Sequence, residues 1–118
     1  MRDYRQFAVH DKAHRLALRI YAITASFPAE ERFGLIGQMR RAATSIPINV
    51  AEGAGRDSDV DFARFVDIAM GSANELEYEL LLARDLEYLS HDDHDQLAEA
   101  TVEVRRMLNG LRKRLRSA

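Results

Sequence analysis

The spacing of apolar residues is the feature of this chain that most constrains its fold. In four long segments, apolar side chains recur at steps of three and four residues, which places them on one face of an α-helix. The clearest stripe lies in the first segment and consists of Val9, Ala13, Leu16, Ala17, Ile20 and Thr24. No segment alternates apolar and polar residues in the manner of a half-buried strand. The pattern therefore predicts an all-α protein.

Capping and helix-breaking residues give the helix boundaries. Phe27-Pro28 ends the first helix because the residue before a proline avoids helical backbone. Gly53 and Gly55 end the second helix, and Ser58 is a good N-cap for the third. The predicted helices span residues 9–26, 31–54, 58–89 and 91–116. At 1.5 Å per residue the third is about 45 Å long, longer than the others.

Short loops make successive helices antiparallel neighbours. With 118 residues, the chain is long enough for one core. We therefore predict a single domain over residues 1–118, an antiparallel up-down four-helix bundle with a long third helix.

Two of the helices carry more apolar surface than one bundle face can bury. The main stripe of the third helix consists of Phe62, Phe65, Ala69, Ser72, Leu76, Leu80 and Ala83. The further apolar residues of this helix, which lie outside that stripe, are Val66, Ile68, Met70, Tyr78, Leu81 and Leu82. The first helix has Leu18, Tyr21 and Ile23 outside its stripe. Helices with two apolar faces in so small a protein favour association of copies, so we expect a homo-oligomer.

Composition excludes several classes of chemistry and location. The chain has no cysteine, so disulfides, thiolate catalysis and cysteine metal sites are excluded. Its N-terminus lacks the apolar core of a signal peptide, and no apolar run approaches the roughly 20 residues of a membrane helix. We expect a cytoplasmic protein with no membrane partner and no cofactor.

The net charge of −2 conceals three blocks of unlike charge. The balance of Lys and Arg against Asp and Glu is +3 in residues 1–57, −11 in residues 58–104 and +6 in residues 105–118. Opposite blocks can pair between helices or subunits, and the basic end can meet an anionic partner. The alternative is a solvated helix end, where basic side chains interact favourably with the negative C-terminal end of the helix dipole.

The segment 33–56 carries an unusual number of special residues for one helix. Pro47 lies inside it, where a proline costs roughly 3 kcal/mol. Either Thr44 and Ser45 satisfy the backbone groups that the proline frees, or Ser45 caps a new helix with Pro47 in its first turn. Both arrangements redirect the helix axis before Asn49.

Two polar faces of equal spacing predict a network between the second and third helices. Residues at steps of three and four share a helix face. The two sets are Asn49, Glu52 and Arg56 in the second helix, and Ser72, Glu75 and Glu79 in the third. A satisfied buried network of this kind fixes helix register. A functional pocket is the alternative interpretation.

The same segment carries a resemblance to a known family. FGLIGQMRRAATSIPINVAEGAGR and FARFVDIAMGSANELEYEL closely resemble the bacterial four-helix bundle family of 23S rRNA intervening-sequence proteins. The resemblance extends from IYAITASFP in the first helix to RRMLNGLRKRL in the last. It implies a bundle that assembles as a homopentamer, similar in shape to the accessory variability protein of diversity-generating retroelements. That protein is a basic pentamer that binds nucleic acid and a reverse transcriptase; the resemblance implies no particular activity.

Basic residues give the functional hypotheses. The pI near 6.1 departs from the strongly basic nucleic-acid-binding relatives, and phosphate contacts usually dominate such affinity. The cations available for a local basic surface are Arg40, Arg41, Arg105, Arg106, Arg112, Lys113, Arg114 and Arg116. We predict a non-enzymatic homo-oligomer that binds RNA or a nucleoprotein through these residues. The alternative is a protein–protein scaffold with no nucleic-acid role.

Enzymatic and metal sites have weak support in the sequence. A di-iron bundle needs Glu-x-x-His from each of two helices. The near matches are Asp11-x-x-His14 and His91-x-x-His94. An RNase of the all-α HEPN kind, with Arg-x4–6-His, is a remote alternative. The pairs with that spacing are Arg5–His10 and Arg84–His91, and such pairs arise by chance among many arginines. We therefore predict no catalytic residue and no metal site.

Overall fold

Four α-helices make up most of the chain in the computed structural model, which describes residues 2–117. The helices are α1 (Ala8–Thr24), α2 (Leu35–Ala54), α3 (Asp59–Asp85) and α4 (His91–Ser117), with short 3-10 turns at Tyr4–Gln6 and Ala29–Glu31. Each helix packs against the next along the chain, and α1 also contacts α4, in a bundle of 45 × 23 × 19 Å. The predicted all-α four-helix bundle is confirmed. The end residues of the predicted domain, Met1 and Ala118, lie outside the described range.

The first two helices differ from their predicted boundaries, α1 by one residue at its start and two at its end, and α2 at its start. α1 ends at Thr24 rather than at residue 26. α2 begins at Leu35 rather than at residue 31, because Gly34 has a non-helical backbone with φ −106° and ψ −114°. The Glu31 carboxylate accepts a hydrogen bond from the Leu35 N–H at 3.2 Å. The chain before α2 is therefore a 3-10 turn followed by a capping contact, and not the first turn of the α-helix.

Pro47 lies inside an unbroken helix. α2 is continuous through this residue, so Ser45 does not cap a new helix and that alternative is wrong. The Thr44 hydroxyl donates to the Arg40 carbonyl at 2.9 Å, and the Asn49 side-chain amide donates to the Ser45 carbonyl at 2.8 Å. Polar side chains on both sides of the proline therefore bond to backbone carbonyls of their own helix.

α3 and α4 are equally long, at 27 residues each. The Ser58 hydroxyl accepts a hydrogen bond from the Asp61 N–H at 3.1 Å and caps α3 as predicted. α3 ends before the predicted residue 89 because Glu87 adopts left-handed backbone, with φ 66°. The Tyr88 N–H then returns to the Ala83 carbonyl at 3.0 Å, as in a Schellman motif. The third helix is thus about 40 Å long and does not exceed the fourth.

The core follows the predicted stripes. Every residue of the α1 stripe is buried. The buried residues of α4 are Leu97, Thr101, Val104, Leu108 and Leu111. Val66, which the sequence assigns to excess apolar surface, is fully buried, so that expectation is wrong. The residues of the excess set that are exposed are Leu18, Tyr21, Ile68, Tyr78 and Leu81. None of the helices within residues 2–117 is long and apolar enough to cross a membrane.

Candidate functional site

A hydrogen-bonded cluster joins α2 to α3. The Asn49 Nδ2 donates to Ser45 Oγ at 2.9 Å, and the Ser72 hydroxyl donates to the same Ser45 Oγ at 2.8 Å. These side chains line a cleft of about 390 Å³ together with Arg41, Thr44 and Glu75. Asn49 and Ser72 therefore meet through Ser45, which the predicted network omits. Its position four residues before Asn49 is the sequence signal that identifies it.

Glu79 is a buried carboxyl in the same region. Its residue is 3% exposed, and its Oε1 has no hydrogen-bond partner among the described residues. Burial, followed by the neighbouring Glu75, raises the pKa of Glu79 to about 8, against the opposing effect of the Arg41 charge. Glu79 therefore carries its proton at neutral pH. Glu75 and Glu79, which the spacing places on one polar face of α3, are close enough for Glu75 to affect the pKa of Glu79.

Glu52 and Arg56 lie away from this cluster. Both side chains are exposed. The Arg56 guanidinium lies 4.7 Å from the centroid of the Phe65 ring, a cation–π contact with α3. Of the predicted network residues, those that line the α2–α3 cleft are Asn49, Ser72 and Glu75. Glu52 and Arg56 lie at the surface, and Arg56 follows the end of α2 at Ala54, so its predicted place on the second helix is wrong.

The two arginines of α2 have different roles. Arg40 donates to the Thr24 hydroxyl at 3.0 Å and to the Tyr21 carbonyl at 3.2 Å, which ties α2 to the end of α1. Its guanidinium also lies 4.5 Å from the Tyr21 ring centroid. Arg41 is exposed and lines the α2–α3 cleft. Of the pair, Arg41 alone presents its charge to solvent.

Three arginines of α4 hold α3. Arg105 pairs with Glu77, and Asp67 accepts hydrogen bonds from both Arg112 at 3.2 Å and Arg116 at 2.6 Å. These contacts join the acidic block of the sequence to its basic end. The three arginines are therefore engaged within the protomer and contribute less to a surface that could attract phosphate.

The remaining cations of α4 form the free part of the predicted basic surface. Arg106, Lys113 and Arg114 are exposed, and none has an ion pair within the described part of the chain. Arg106 and Lys113 are seven residues apart and lie on one helix face. With Arg41, they are the predicted nucleic-acid-binding residues that the structure leaves available.

An apolar groove of about 470 Å³ runs between α1 and α2. The exposed apolar residues that line it are Tyr4, Leu18, Tyr21 and Ile48. His10 and His14 line it as well, and the His10 ring lies 4.5 Å from the Tyr4 ring, centroid to centroid. Burial, and then the charge of His14, lowers the pKa of His10, so His10 is neutral at neutral pH. This groove was not predicted from the sequence.

The pairs considered for catalysis are not assembled into a site. Arg5 bonds to Asp3 at 3.0 Å, and Arg84 bonds to Asp85 at 3.1 Å. Across residues 2–117, neither Arg5 and His10 nor Arg84 and His91 are joined by a hydrogen bond. Nor does this part of the chain bring together three or more His, Asp or Glu side chains around a possible metal ion.

Comparison with known proteins gives a family and a fold relative. The family model described as 23S rRNA-intervening sequence protein matches residues 5–110. The chain is similar to a solved structure of a protein with unknown function from the S23 ribosomal protein family of Bacteroides thetaiotaomicron. The TM-score is 0.81 at 29% sequence identity, over 90% of this chain and 99% of that chain. No curated protein matches the chain.

Proposed function

Because the chain belongs to the 23S rRNA-intervening sequence protein family, we propose that it is a cytoplasmic homo-oligomer that works by binding and not by catalysis. The observation that carries this proposal is the presence of two unlike apolar surfaces on one protomer. Groups of large apolar side chains left exposed on so small a protein are typical of interaction sites.

The first is the groove surface, defined by Tyr4, Leu18, Tyr21 and Ile48. Their exposed fractions are 38%, 58%, 44% and 56%. The residues come from α1, α2 and the turn before α1, so the packing of these elements creates the groove. A concave apolar surface of this type fits a convex row of side chains from another helix.

The second is the α3 surface, defined by Val60, Ile68, Tyr78 and Leu81. Their exposed fractions are 72%, 52%, 62% and 37%. Gly71 lies along the same helix, and a Cβ built there meets no atom within 4 Å. The backbone is therefore open to close approach by another chain.

The two surfaces differ in shape and composition, and this bears on symmetry. A two-fold dimer either pairs one surface with itself and leaves the other exposed, or pairs the two surfaces reciprocally and stops at two copies. Head-to-tail contact of the groove surface with the α3 surface of the next copy also covers both, and it closes into a ring where the rotation between copies divides a full turn. The family resemblance implies five copies, so we propose a homopentamer.

Size-exclusion chromatography with light scattering tests the assembly. We expect the wild-type protein at five times the 13.4 kDa protomer mass at micromolar concentration. Leu18→Glu and Ile68→Glu each place a charge in one surface, so each should give monomers. Phe33→Glu is the matched control, since Phe33 is 93% exposed but belongs to neither surface. A monomeric wild-type protein would contradict the proposal, and a stable oligomer of another size would contradict the number five.

RNA binding is the second candidate function, and the free cations Arg106, Lys113 and Arg114 favour it. Among residues 2–117 these charges have no ion-pair partner, in contrast to Arg105, Arg112 and Arg116. A ring repeats the same small basic group in every copy, and repeated weak contacts gain affinity through avidity. The alternative, a scaffold with no nucleic-acid role, needs only the apolar surfaces.

Binding to structured RNA at several salt concentrations separates the two. Each phosphate contact contributes about 0.7–0.9 to the slope of log affinity against log salt. The triple variant R106Q/K113Q/R114Q should therefore bind more weakly and with a smaller slope. Asp67→Asn should bind more tightly, because it releases Arg112 and Arg116.

The control for net charge is R32Q/R64Q/R84Q, which also removes three cations. It should bind as the wild type does, because these arginines lie outside α4. If RNA does not bind at low salt, or if the α4 triple variant binds like this control, the scaffold function is favoured.

A further inference from the structure

We propose that His10 and His14 form a binding site for a divalent transition-metal ion, Zn²⁺ in the first instance, in the α1–α2 groove. The proposal does not depend on RNA binding, and the two histidines line the groove that the proposed assembly covers, so the site would lie beside the contact between copies. It departs from the prediction of no metal site, which considered carboxylate-rich bundle sites.

The spacing of the two histidines suits chelation of one ion. They are four residues apart on α1, so their Cβ atoms are about 5–6 Å apart on one helix face. Two histidines at this spacing on a helix are the zinc ligands of the H-E-x-x-H motif. Here the local sequence is HDKAH. Both residues lie within a regular helix, which holds two ligands more precisely than a loop does.

The surroundings orient the rings and leave their nitrogens available. The Tyr4 ring lies 4.5 Å from the His10 ring at an interplanar angle of 58°, which limits rotation of that imidazole. No hydrogen bond to a ring nitrogen of His10 or His14 occurs in the described part of the chain. By contrast, His94 Nδ1 lies 3.0 Å from Asp95 Oδ1, so the second histidine pair of the chain has one ring already engaged.

The site has two protein ligands. Asp11, the adjacent carboxylate, pairs with Arg15 at 3.1 Å, and no further ligand completes a group of three among residues 2–117. Imidazole suits Zn²⁺, Cu²⁺ and Ni²⁺, and four-coordinate Zn²⁺ would keep two positions open. Water or a donor atom from a ligand in the groove would fill them.

Isothermal titration of tag-free protein with ZnCl₂, in a buffer that does not chelate metals, tests the site. We expect one ion per protomer. His10→Gln and His14→Gln should each weaken binding by at least about tenfold, since loss of an outer-shell partner alone costs about 10–100-fold. The matched control H91Q/H94Q removes two histidines from α4 and should leave the affinity unchanged. Circular dichroism checks that each variant stays helical.

A second pair of measurements distinguishes a chelate from a single imidazole. H14A/R19H keeps the number of histidines but places the second one nine residues from His10, about 180° around the helix, so it should bind as weakly as His14→Gln. Cu²⁺ should give an electron paramagnetic resonance spectrum with hyperfine coupling to two nitrogens. The proposal is overturned if either single variant binds like the wild type, if H91Q/H94Q abolishes binding, or if one ion binds per two protomers.

Discussion

Among single residues, Glu79 has a chemistry that its position in a helix stripe does not reveal. Glu79 is 3% exposed, and its Oε1 has no hydrogen-bond partner among the described residues, so the ionised form of its carboxyl group would be strongly unfavourable. The pKa of about 8 reflects this cost, because the folded protein keeps the proton on a group that normally loses it near 4.5. Stability at alkaline pH is therefore linked to this residue.

Glu79→Gln should remove a pH dependence of stability. Between about 4.5 and about 8 the folded state binds more protons at Glu79 than the unfolded state, so the free energy of unfolding falls as pH rises through this window. Gln resembles the protonated carboxyl but does not ionise. We expect similar stabilities near pH 4 and a variant that is more stable at pH 9 by on the order of 2–4 kcal/mol.

Urea titrations from pH 4 to 9 at one protein concentration measure this difference. Glu52→Gln is the control, since Glu52 is exposed and should show no such divergence. Parallel stability profiles for the wild type and Glu79→Gln would contradict the interpretation.

Sequence spacing predicted which polar residues share a face, but not which of them bond. Asn49 and Ser72 were predicted because each begins a polar face, and both side chains donate a hydrogen bond to Ser45 Oγ rather than to each other. Arg56 continues the three- and four-residue spacing that begins at Asn49, yet its guanidinium lies over the Phe65 ring. Because α2 ends at Ala54, Arg56 lies beyond the helix and is exposed to solvent. Partner choice depends on the neighbouring helix, which periodicity within one helix does not describe.

At the level of elements, the contact between α2 and α3 depends on a glycine. A Cβ at Gly53 would lie 2.6 Å from Phe62 Cδ1 and 2.8 Å from Phe65 Cβ. Phe62 is fully buried, so it has little freedom to move away. The glycine thus sets how closely the last turn of α2 approaches the first turns of α3.

Gly53→Ala should weaken this contact. Overpacking of a filled core costs about 1–3 kcal/mol, which exceeds the gain of about 1 kcal/mol from replacing a helical glycine by alanine. Gly110→Ala is the matched control, because its Cβ meets only the mobile end of Arg114 at 3.7 Å. We expect urea denaturation to show a less stable Gly53→Ala and a more stable Gly110→Ala. A Gly53→Ala protein at least as stable as the wild type would contradict the packing argument.

The four helices were predictable, while several of their ends and the interhelical ion pairs were not. The α1 stripe is buried as its spacing indicated, because local periodicity determines the face. The end of α3 rests on left-handed backbone at Glu87, a conformation for which glycine or asparagine is the usual signal. Asp67 pairs with residues 45 and 49 positions away, and such contacts have no local pattern.

For the whole molecule, ion pairs within the protomer account for part of the acidic and basic blocks of the sequence. The −11 block contributes Asp67 and Glu77, and the +6 block contributes Arg105, Arg112 and Arg116, which meet across the α3–α4 contact. The sequence alone assigned all these arginines to a basic surface. The α4 cations without an ion pair among residues 2–117 are Arg106, Lys113 and Arg114. The two apolar surfaces are therefore stronger evidence for contact between copies than the basic residues are for RNA binding.

Mixing two disabled variants tests whether copies associate head to tail. Leu18→Glu loses the groove surface but keeps the α3 surface, and Ile68→Glu has the opposite defect. Each alone should be monomeric, whereas an equimolar mixture retains one intact contact and should form a 1:1 dimer of twice 13.4 kDa that extends no further.

A two-fold interface that pairs one surface with itself predicts a different result. If copies paired through the groove surface alone, Ile68→Glu would dimerise by itself and addition of Leu18→Glu would change nothing. Light scattering of the two variants, alone and mixed, therefore distinguishes self-pairing of one surface from contact between the two surfaces, and the wild-type mass distinguishes a ring from a reciprocal dimer. Mixing either variant with Phe33→Glu is the control, because Phe33→Glu keeps both surfaces and should form larger species with either partner. The outcome decides whether the two apolar surfaces of one protomer belong to a single repeated contact, which a closed ring requires.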